Sequence, residues 1–496
     1  MLLFYQLVTI VAMVAITYLV FQAFGRPRKT LLYSTEEKQQ WDTLIAQPIG
    51  SWFTKTNVVG TLTAFATVYL FFIGNSKLFG WWILLCSVGI WGGSFVTNYV
   101  TKAICRDPFI QELIESPDQA GGVIASVFWR PSSLPAQRTA ALAKWLSLLN
   151  ILGIVWLDFA LFADISGRLL GLTHLWARLA LLLFCCFTIF YFTFRYGLRG
   201  FVFADLFQVP IVVLASVGIL AGCLYLTYIS GGLHFSIAAL ALPVLRTKEC
   251  VLFGAHVLFL NLVFVLVTEP HWLRLWIFRK KEIDLQVSAV AWTAGIWIVL
   301  MMVGFLASFH SGGKLGEDAV VGLLFRLNQI SPVFSVLFWL GGIAALFSSA
   351  DAQIYSFLVV REFDLRTGRL RARLMSTLSP FALSLIAAAL FGVAYFLLRS
   401  FEVPFEKIIF LVIPLSLNIF PALLLAGFHL PPKPGYILLS LSLYMACTIL
   451  GLRQPDDNFL WTLTAALVPL VVGVLALAVT SWTQSRRSNR EITNSN

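Results

Sequence analysis

The sequence predicts an all-α integral membrane protein with about thirteen transmembrane helices. Of its 496 residues, 59% are hydrophobic and only 12% are charged, whereas soluble domains carry about 25% charged residues. The apolar residues form long runs, and a helix needs about 20 mostly apolar residues to cross a bilayer. A chain of this composition cannot cover a water-facing surface with polar side chains. One membrane domain over residues 1–482 is therefore expected.

The apolar runs follow one another along the chain with short polar connections. The predicted spans are Leu2–Ala23, Asn57–Ile73, Leu78–Val100, Thr139–Ala163, His174–Phe194, Val202–Ser230, Val251–Thr268, Val287–Phe309, Ser331–Val360, Met375–Leu398, Phe405–Phe428, Gly435–Leu452 and Asn458–Trp482. The first run has no clear cleavage site and is followed by basic residues, so we expect a retained span. An interfacial helix is expected near Ile110–Glu115. Residues 483–496 are polar and are expected to form a disordered cytoplasmic tail.

The basic residues alternate from one side of the predicted bundle to the other. With the N-terminus outside, 25 of the 35 Lys and Arg residues lie in inward connections and 10 in outward ones. Cytoplasmic loops carry such an excess of basic residues. The distribution predicts an external N-terminus and a cytoplasmic C-terminus in the plasma membrane. Because the net charge of +11 is spread over many connections, nucleic acid is not an expected partner.

The sequence lacks the motifs that soluble catalytic domains use. It contains no GxxxxGK[ST], GxSxG or HExxH pattern, which argues against ATP-driven pumping and against an enzyme. The seven cysteines lie in or beside apolar runs without metal-ligand spacing. Neither a catalytic cofactor nor an obligatory protein partner is expected.

Small and hydroxyl residues share one face of the ninth span. Ala345, Ser348 and Ser349 stand at positions i, i+3 and i+4 of the predicted helix. Neutral hydroxyl and carbonyl oxygens suit a weakly bound monovalent cation. Small and hydroxyl residues also pack membrane helices closely, and this face alone is compatible with either role.

Ionisable residues within the apolar spans are the other candidates for function. An acid at the centre of a membrane helix costs about 2.5–3.5 kcal/mol on insertion scales. Asp158, Asp205, Asp351 and His256 all fall in predicted spans. Each of them either pairs with a neighbouring helix or serves a transported species.

Two segments resemble motifs of the sodium:solute symporter family, which includes sodium-coupled proline and sugar symporters. Tyr196–Gln208, YGLRGFVFADLFQ, resembles the family signature GGL[KR]AVxxTDxxQ. Ala344–Asp351, AALFSSAD, resembles the family's AAxMSTADS segment. Glu269–Arg274, EPHWLR, is a weaker match to its DQxxxQRY turn. The resemblance implies a five-plus-five inverted-repeat core, with repeats at residues 57–230 and 251–428, one helix before them and two after.

The chain also departs from that family, as a divergent member would. The second span lacks the proline of the family's broken first repeat helix, Ala204 replaces the usual Thr, and Pro270 replaces the usual Gln. The ion ligands from the second span are therefore not fixed by the resemblance.

The resemblance implies a sodium site near the middle of the membrane. It assigns the hydroxyls of Ser348 and Ser349 and the carbonyl of Ala345 as ligands. Further ligands are expected from the second span, near Thr63 and Thr67.

The remaining candidates surround that site. Asp205 and Asp351 are expected along the ion path, and His256 is a candidate solute contact, because inverted-repeat transporters bind solute at the repeat interface. His256 is equally compatible with a packing role.

Sodium-coupled symport of a small solute is the leading interpretation. A membrane sensor or scaffold that retains the fold without transport is an alternative, favoured by the divergent second span. A proton-coupled transporter with Asp205 or His256 as the titrating group is another.

Overall fold

The computed structural model describes residues 2–24, 35–115, 122–172, 174–230, 242–278, 280–310, 316–371, 379–400, 408–409, 412–453 and 458–495. Nearly all of these residues are helical. Ten of the described helices are long and apolar enough to cross a membrane. The prediction of an all-α membrane protein is confirmed, while the count of thirteen spans and the repeat layout stay predictions.

The helices of the first half lead from the N-terminus to the long helix that carries Asp205. They are α1 (Leu2–Phe24), α2 (Thr35–Ala46), α3 (Ile49–Leu62), α4 (Phe71–Phe79), α5 (Leu84–Ile104), α6 (Pro108–Glu115), α7 (Ile124–Phe128), α8 (Leu134–Leu169) and α9 (Leu175–Ile229). The helix expected near Ile110–Glu115 is present as α6. Inside α9, Gly197 has φ of 62° and ψ of −150°, a conformation that glycine adopts readily, and it divides the fifth predicted span from the sixth.

The second half contains the helix that carries the serine pair and a small hairpin. Its elements are α10 (Thr247–Val263), α11 (Glu269–Phe278), α12 (Lys280–His310), α13 (Gly316–Ile330), α14 (Pro332–Glu362), β1 (Phe363–Asp364), β2 (Arg369–Leu370), α15 (Pro380–Ser400), a 3₁₀ stretch (Ile413–Ile419), α16 (Phe420–Gly427), α17 (Pro434–Arg453) and α18 (Asn458–Ser495). The two strands pair antiparallel, with Phe363 opposite Leu370.

Several elements differ from the sequence-based expectations. Residues 269–274 begin the buried helix α11 rather than a turn, and α13 lies in a connection where no helix was expected. α18 continues to Ser495 through the segment expected to be disordered. Residues 483–495 contain no Gly or Pro, so nothing in this segment interrupts the helix that the last span begins.

One predicted span is interrupted near its middle, and another is helical only as far as Val263. α3 ends at Leu62, Thr63 has φ of −113° and ψ of 59°, and a π-helical stretch, Phe65–Leu70, leads into α4. α10 ends at Val263, and residues up to Thr268 form turns before α11 begins. Interrupted membrane helices expose backbone groups that can face a bound ligand.

α14 forms the centre of the bundle. From Gly341 to Ser356 every residue is buried. The helix packs most extensively against α9 and also contacts α8 and α3. At its C-terminal end, Nζ of Lys144 on α8 donates to the carbonyl oxygens of Arg361 at 2.9 Å and Phe363 at 2.6 Å. These contacts fix α14 against the helices that carry its polar partners.

Candidate ion and solute site

Three helices bring polar side chains together around Asp205, which is fully buried on α9. The hydroxyl of Ser348 on α14 donates to Oδ1 of this carboxylate. Nδ2 of Asn57 on α3 donates to Oδ2 at 2.5 Å. Asp205 therefore joins α3 to α14 through one carboxylate, in the buried centre of the bundle.

The approach of α3 to this carboxylate depends on the absence of a side chain at Gly60. A Cβ atom at that position would lie 1.9 Å from Oγ of Ser348 and 2.9 Å from Oδ1 of Asp205. Neither distance is compatible with ordinary van der Waals contact. Gly60 therefore permits the close packing in which the hydroxyl and the carboxylate meet beside α3.

The second serine of α14 contacts a different acid. Oγ of Ser349 donates to Oδ2 of Asp158 on α8 at 3.0 Å, and also lies 3.3 Å from the carbonyl oxygen of Leu346. Asp351 is fully buried two residues further along. In the described part of the chain, neither of its carboxylate oxygens has a hydrogen-bond partner. Asp158, Asp205 and Asp351 thus place three buried acids on or beside the serine pair.

The other predicted ligands are placed as follows. Ala345 is buried on α14 one turn before Ser348 and Ser349. Thr63 is buried where α3 ends, and its hydroxyl donates to the carbonyl oxygen of Val59 at 2.7 Å. The Thr67 side chain lies outside the described residues.

A cavity of about 80 Å³ lies beside the interruption in the second span. Its walls come from the end of α3, the π-helical stretch, α4, α10, α12 and α14, and from the 3₁₀ stretch. The indole of Trp297 on α12 lines it and donates to the carbonyl oxygen of Leu62 at 3.2 Å. This carbonyl belongs to the last turn of α3, where no following helical turn supplies an N–H to donate to it.

The cavity is mainly apolar with a few polar groups. Its polar lining residues are Thr61, His256, Asn261, Ser349 and Gln353. Among the described residues that line it, none is an Asp, Glu, Lys or Arg. Small-molecule sites combine predominantly apolar walls with a few oriented polar groups in this way. The cavity therefore suits a solute that presents an uncharged, partly apolar surface to these walls.

The acids and hydroxyls around α14 form an oxygen-rich environment. Oxygen ligands suit hard cations, and the negative charge of a carboxylate attracts a cation. No group of three or more His, Cys, Asp and Glu among the described residues could hold a metal ion.

Sequence reasoning assigned no site role to Asn57, Gly60 or Trp297. Their contacts, which join Asn57 to α9, Gly60 to α14 and α9, and Trp297 to α3, are tertiary and leave no local pattern. The available signal was a polar Asn at the edge of an apolar run with Gly three residues later. Asp158 was recognised as an intramembrane acid, but its pairing with Ser349 required the fold.

Comparisons with known proteins were made by sequence and by structure. No protein-family model and no curated protein matches the sequence. The fold is similar to the solved structure of a Na⁺-coupled sialic acid symporter in a substrate-bound outward-open state. That similarity has a TM-score of 0.60 and 13% identity, and it covers 96% of this chain and 98% of that chain.

Two further solved structures match with lower TM-scores. Mhp1, a nucleobase-cation-symport-1 family transporter with bromovinylhydantoin bound, has a TM-score of 0.43, 14% identity, and coverage of 87% and 93%. MhsT in complex with L-phenylalanine has a TM-score of 0.44, 17% identity, and coverage of 87% and 98%. At 13% identity, the similarity to the sialic acid symporter establishes the fold alone.

Proposed function

We propose that this chain is a secondary active transporter that couples sodium entry to the uptake of a small solute across the plasma membrane. We further propose that it is a divergent member of the sodium:solute symporter family, with the N-terminus outside and the C-terminus in the cytoplasm. The fold of the sialic acid symporter supports the transporter assignment. The solute-binding surface is the mainly apolar cavity beside α3, α10 and α12.

One observation carries the proposal of coupling. Ser349 lines the cavity and also donates to Asp158, while its neighbour Ser348 donates to Asp205. A cation held by these groups therefore sets the position of a cavity wall. Sodium can drive uptake only if it binds one conformation more tightly than the other. Movement of α14 relative to α8 and α9 would change both sites together.

Each residue has a proposed role in the cycle. The hydroxyls of Ser348 and Ser349 and the carbonyl of Ala345 hold sodium, with Thr63 and Thr67 near the ligands contributed by the second span. Asp205 and Asp351 line the path by which sodium leaves toward the cytoplasm. His256 contacts the solute.

Sodium binding tests the proposal without knowledge of the solute. Purified protein is titrated with ²²Na⁺, with choline chloride maintaining the ionic strength. We expect saturable binding that Ser348→Ala and Ser349→Ala weaken, because each removes one oxygen ligand. Ser356→Ala is the matched control, since that hydroxyl only donates to Ala352 on the same helix, at 2.8 Å. Parental binding in both test variants would remove the serine pair from the site.

Transport is then measured in proteoliposomes. Candidate solutes are supplied with an inward sodium gradient or an equal choline gradient, and accumulation should require sodium. Asp205→Asn is expected to slow sodium-dependent turnover more than it weakens solute binding. Loss of solute binding with a normal sodium dependence would contradict a role in ion release.

A proton-coupled transporter is the second candidate, and a specific feature favours it. Asp351 is fully buried, and its carboxylate has no hydrogen-bond partner among the described residues. Acids within membrane helices serve as proton carriers in pumps and transporters. Accumulation driven by a pH gradient in the absence of sodium, and abolished by Asp351→Asn, would favour this candidate over sodium coupling.

A further inference from the structure

A second cavity lies apart from the central one and shares no lining residue with it. Its volume is about 910 Å³. Three connections line it: the turn from α5 to α6, the segment from α7 to α8, and the segment from α16 to α17. The distribution of basic residues assigns all three connections to the cytoplasmic end of the bundle. Its size and location distinguish it from the proposed transport site.

Cations dominate the charged groups around this cavity. Arg106, Arg130, Arg138 and Lys433 line it, and Asp107 is its acidic lining residue. Arg130 pairs with Asp107, donates to two nearby carbonyl oxygens and lies over the Phe109 ring at 4.7 Å. Arg130 and Asp107 therefore already have their charge and hydrogen-bond partners within the protein.

The other three cations have no such neutralisation. In the part of the chain that the structure describes, Arg106, Arg138 and Lys433 form no ion pair with an acidic side chain. All three are exposed and enter the cavity lining from three different parts of the chain: the turn from α5 to α6, the start of α8, and the segment from α16 to α17. Cations repel one another, and cations that line one cavity from separate segments can together donate to the oxygens of one anion.

The walls between these cations are apolar and conformationally restricted. Pro108, Pro135, Pro431, Pro432 and Pro434 all line the cavity. Proline fixes the backbone and offers no N–H donor, so these walls hold their shape and the prolines donate no backbone hydrogen bond to a ligand. A ligand that fills the cavity must combine an anionic group with an apolar part.

His429 supplies an independent observation at the same place. It lines the cavity and has φ of 56°, in the left-handed region. It follows the C-terminus of α16, where the amide of Leu430 donates to the Leu425 carbonyl at 2.9 Å and that of His429 to Ala426 at 3.0 Å. Glycine is the usual residue at this position. An imidazole thus stands at the cavity edge in a conformation that disfavours a side chain, and such outliers cluster at ligand sites.

We propose that this cavity binds an anionic phospholipid of the cytoplasmic leaflet. The phosphate group lies among Arg106, Arg138 and Lys433, His429 donates to it from the edge, and the glycerol and first acyl carbons pack against the prolines. Basic pockets at the cytoplasmic ends of membrane helices bind anionic headgroups. Free phosphate would satisfy the cations but leave the apolar walls in contact with water, and so the lipid is the better occupant.

Native mass spectrometry of the detergent-purified protein tests this site. The protein is titrated with dioctanoyl phosphatidylglycerol, dioctanoyl phosphatidylcholine and inorganic phosphate. Tighter binding of phosphatidylglycerol than of either other probe is expected. Equal binding of phosphatidylcholine, or equally tight binding of inorganic phosphate, would overturn the assignment of an anionic lipid.

Charge-matched variants locate the binding. Each cation contributes about fivefold in affinity, so the triple variant R106Q/R138Q/K433Q should bind phosphatidylglycerol about a hundredfold more weakly. The control K102Q/R366Q/R369Q removes three exposed cations of the same predicted side that do not line the cavity, and it should retain binding. Equal losses in both triple variants would refute a defined site.

His429→Gly separates ligand contact from structural damage. Glycine relieves the backbone conformation, so the melting temperature should not fall, while phosphatidylglycerol affinity should fall about threefold through the loss of one donor. A lower melting temperature with unchanged affinity would contradict the role of this imidazole. These measurements read lipid binding, and their outcome does not depend on sodium coupling.

Discussion

Gly60→Ala tests the proposed ion site without removing any of its polar groups. The added Cβ atom would lie 1.9 Å from Oγ of Ser348, whereas ordinary van der Waals contact begins at 3.4 Å. The hydroxyl must therefore move by about 1.5 Å, the difference between these two distances, or α3 must move away from α14. The first movement disturbs the bond from Ser348 to Asp205, and the second draws Asn57 of α3 away from Asp205, so both disturb the proposed ligand geometry.

The expected magnitude follows from the loss of one contact to a charged group. Such a contact contributes about 1.5–3 kcal/mol, which corresponds to roughly a 10- to 100-fold change in affinity. The assay is ²²Na⁺ binding to the purified variant, followed by the sodium concentration for half-maximal uptake in proteoliposomes. The dissociation constant for sodium and the half-maximal sodium concentration should both rise by that factor.

Gly295→Ala is the matched control for this measurement. Gly295 lies within α12, and a Cβ atom there would meet nothing within 4 Å. This variant should keep the parental sodium curve. If Gly60→Ala also keeps it while remaining folded, the contact between α3 and α14 has no part in sodium binding, and the proposed site is wrong.

Three further substitutions test other features. His256→Ala should raise the KM for the solute if the imidazole contacts it, and an unchanged KM would leave His256 a packing residue. Lys144→Met should lower the melting temperature through the loss of its bonds to the C-terminal carbonyls of α14, and Lys102→Met, at an exposed position, should not. Burial raises the pKa of Glu269, outside the membrane-spanning helices, to about 7 from 4.5. A protein whose folding raises the pKa of an acid becomes less stable as the pH rises through this interval, here by about 3 kcal/mol. Glu269→Gln should therefore flatten the fall in melting temperature from pH 4.5 to 7. An unchanged slope would refute this.

The sequence predicted the fold class because hydrophobicity and the distribution of basic residues are summed over long segments. It did not predict where helices are interrupted. The break at Thr63 carries no proline, and it depends on contacts such as the bond from Trp297 to Leu62. The buried helix α11 was likewise missed, because a ten-residue segment with Glu, His and Arg has no membrane-span signal and becomes helical in its tertiary setting.

The site was predictable in part for the same physical reason. Ser348 and Ser349 share a helix face by spacing alone, and Asp205 stood out as an acid within an apolar run. Their actual partners could not be read from the sequence, since Asp205 and Ser348 are separated by 143 positions. The sequence did not identify Gly60 as a site residue, because Gly60 contributes by having no side chain at a close helix contact.

In the proposed transport site Ser349 belongs both to the cavity wall and to the ion site, and this double role restricts how solute preference could evolve. A substitution there would alter the cavity and the contact with Asp158 in one step, so a new specificity would arise together with a changed ion requirement. Val257 and Leu260 of α10 line the same cavity from the other side. Mutations at those positions can reshape the solute surface while the α14 contacts stay intact. Diversification among descendants of this protein is therefore expected to accumulate on α10 before it reaches α14.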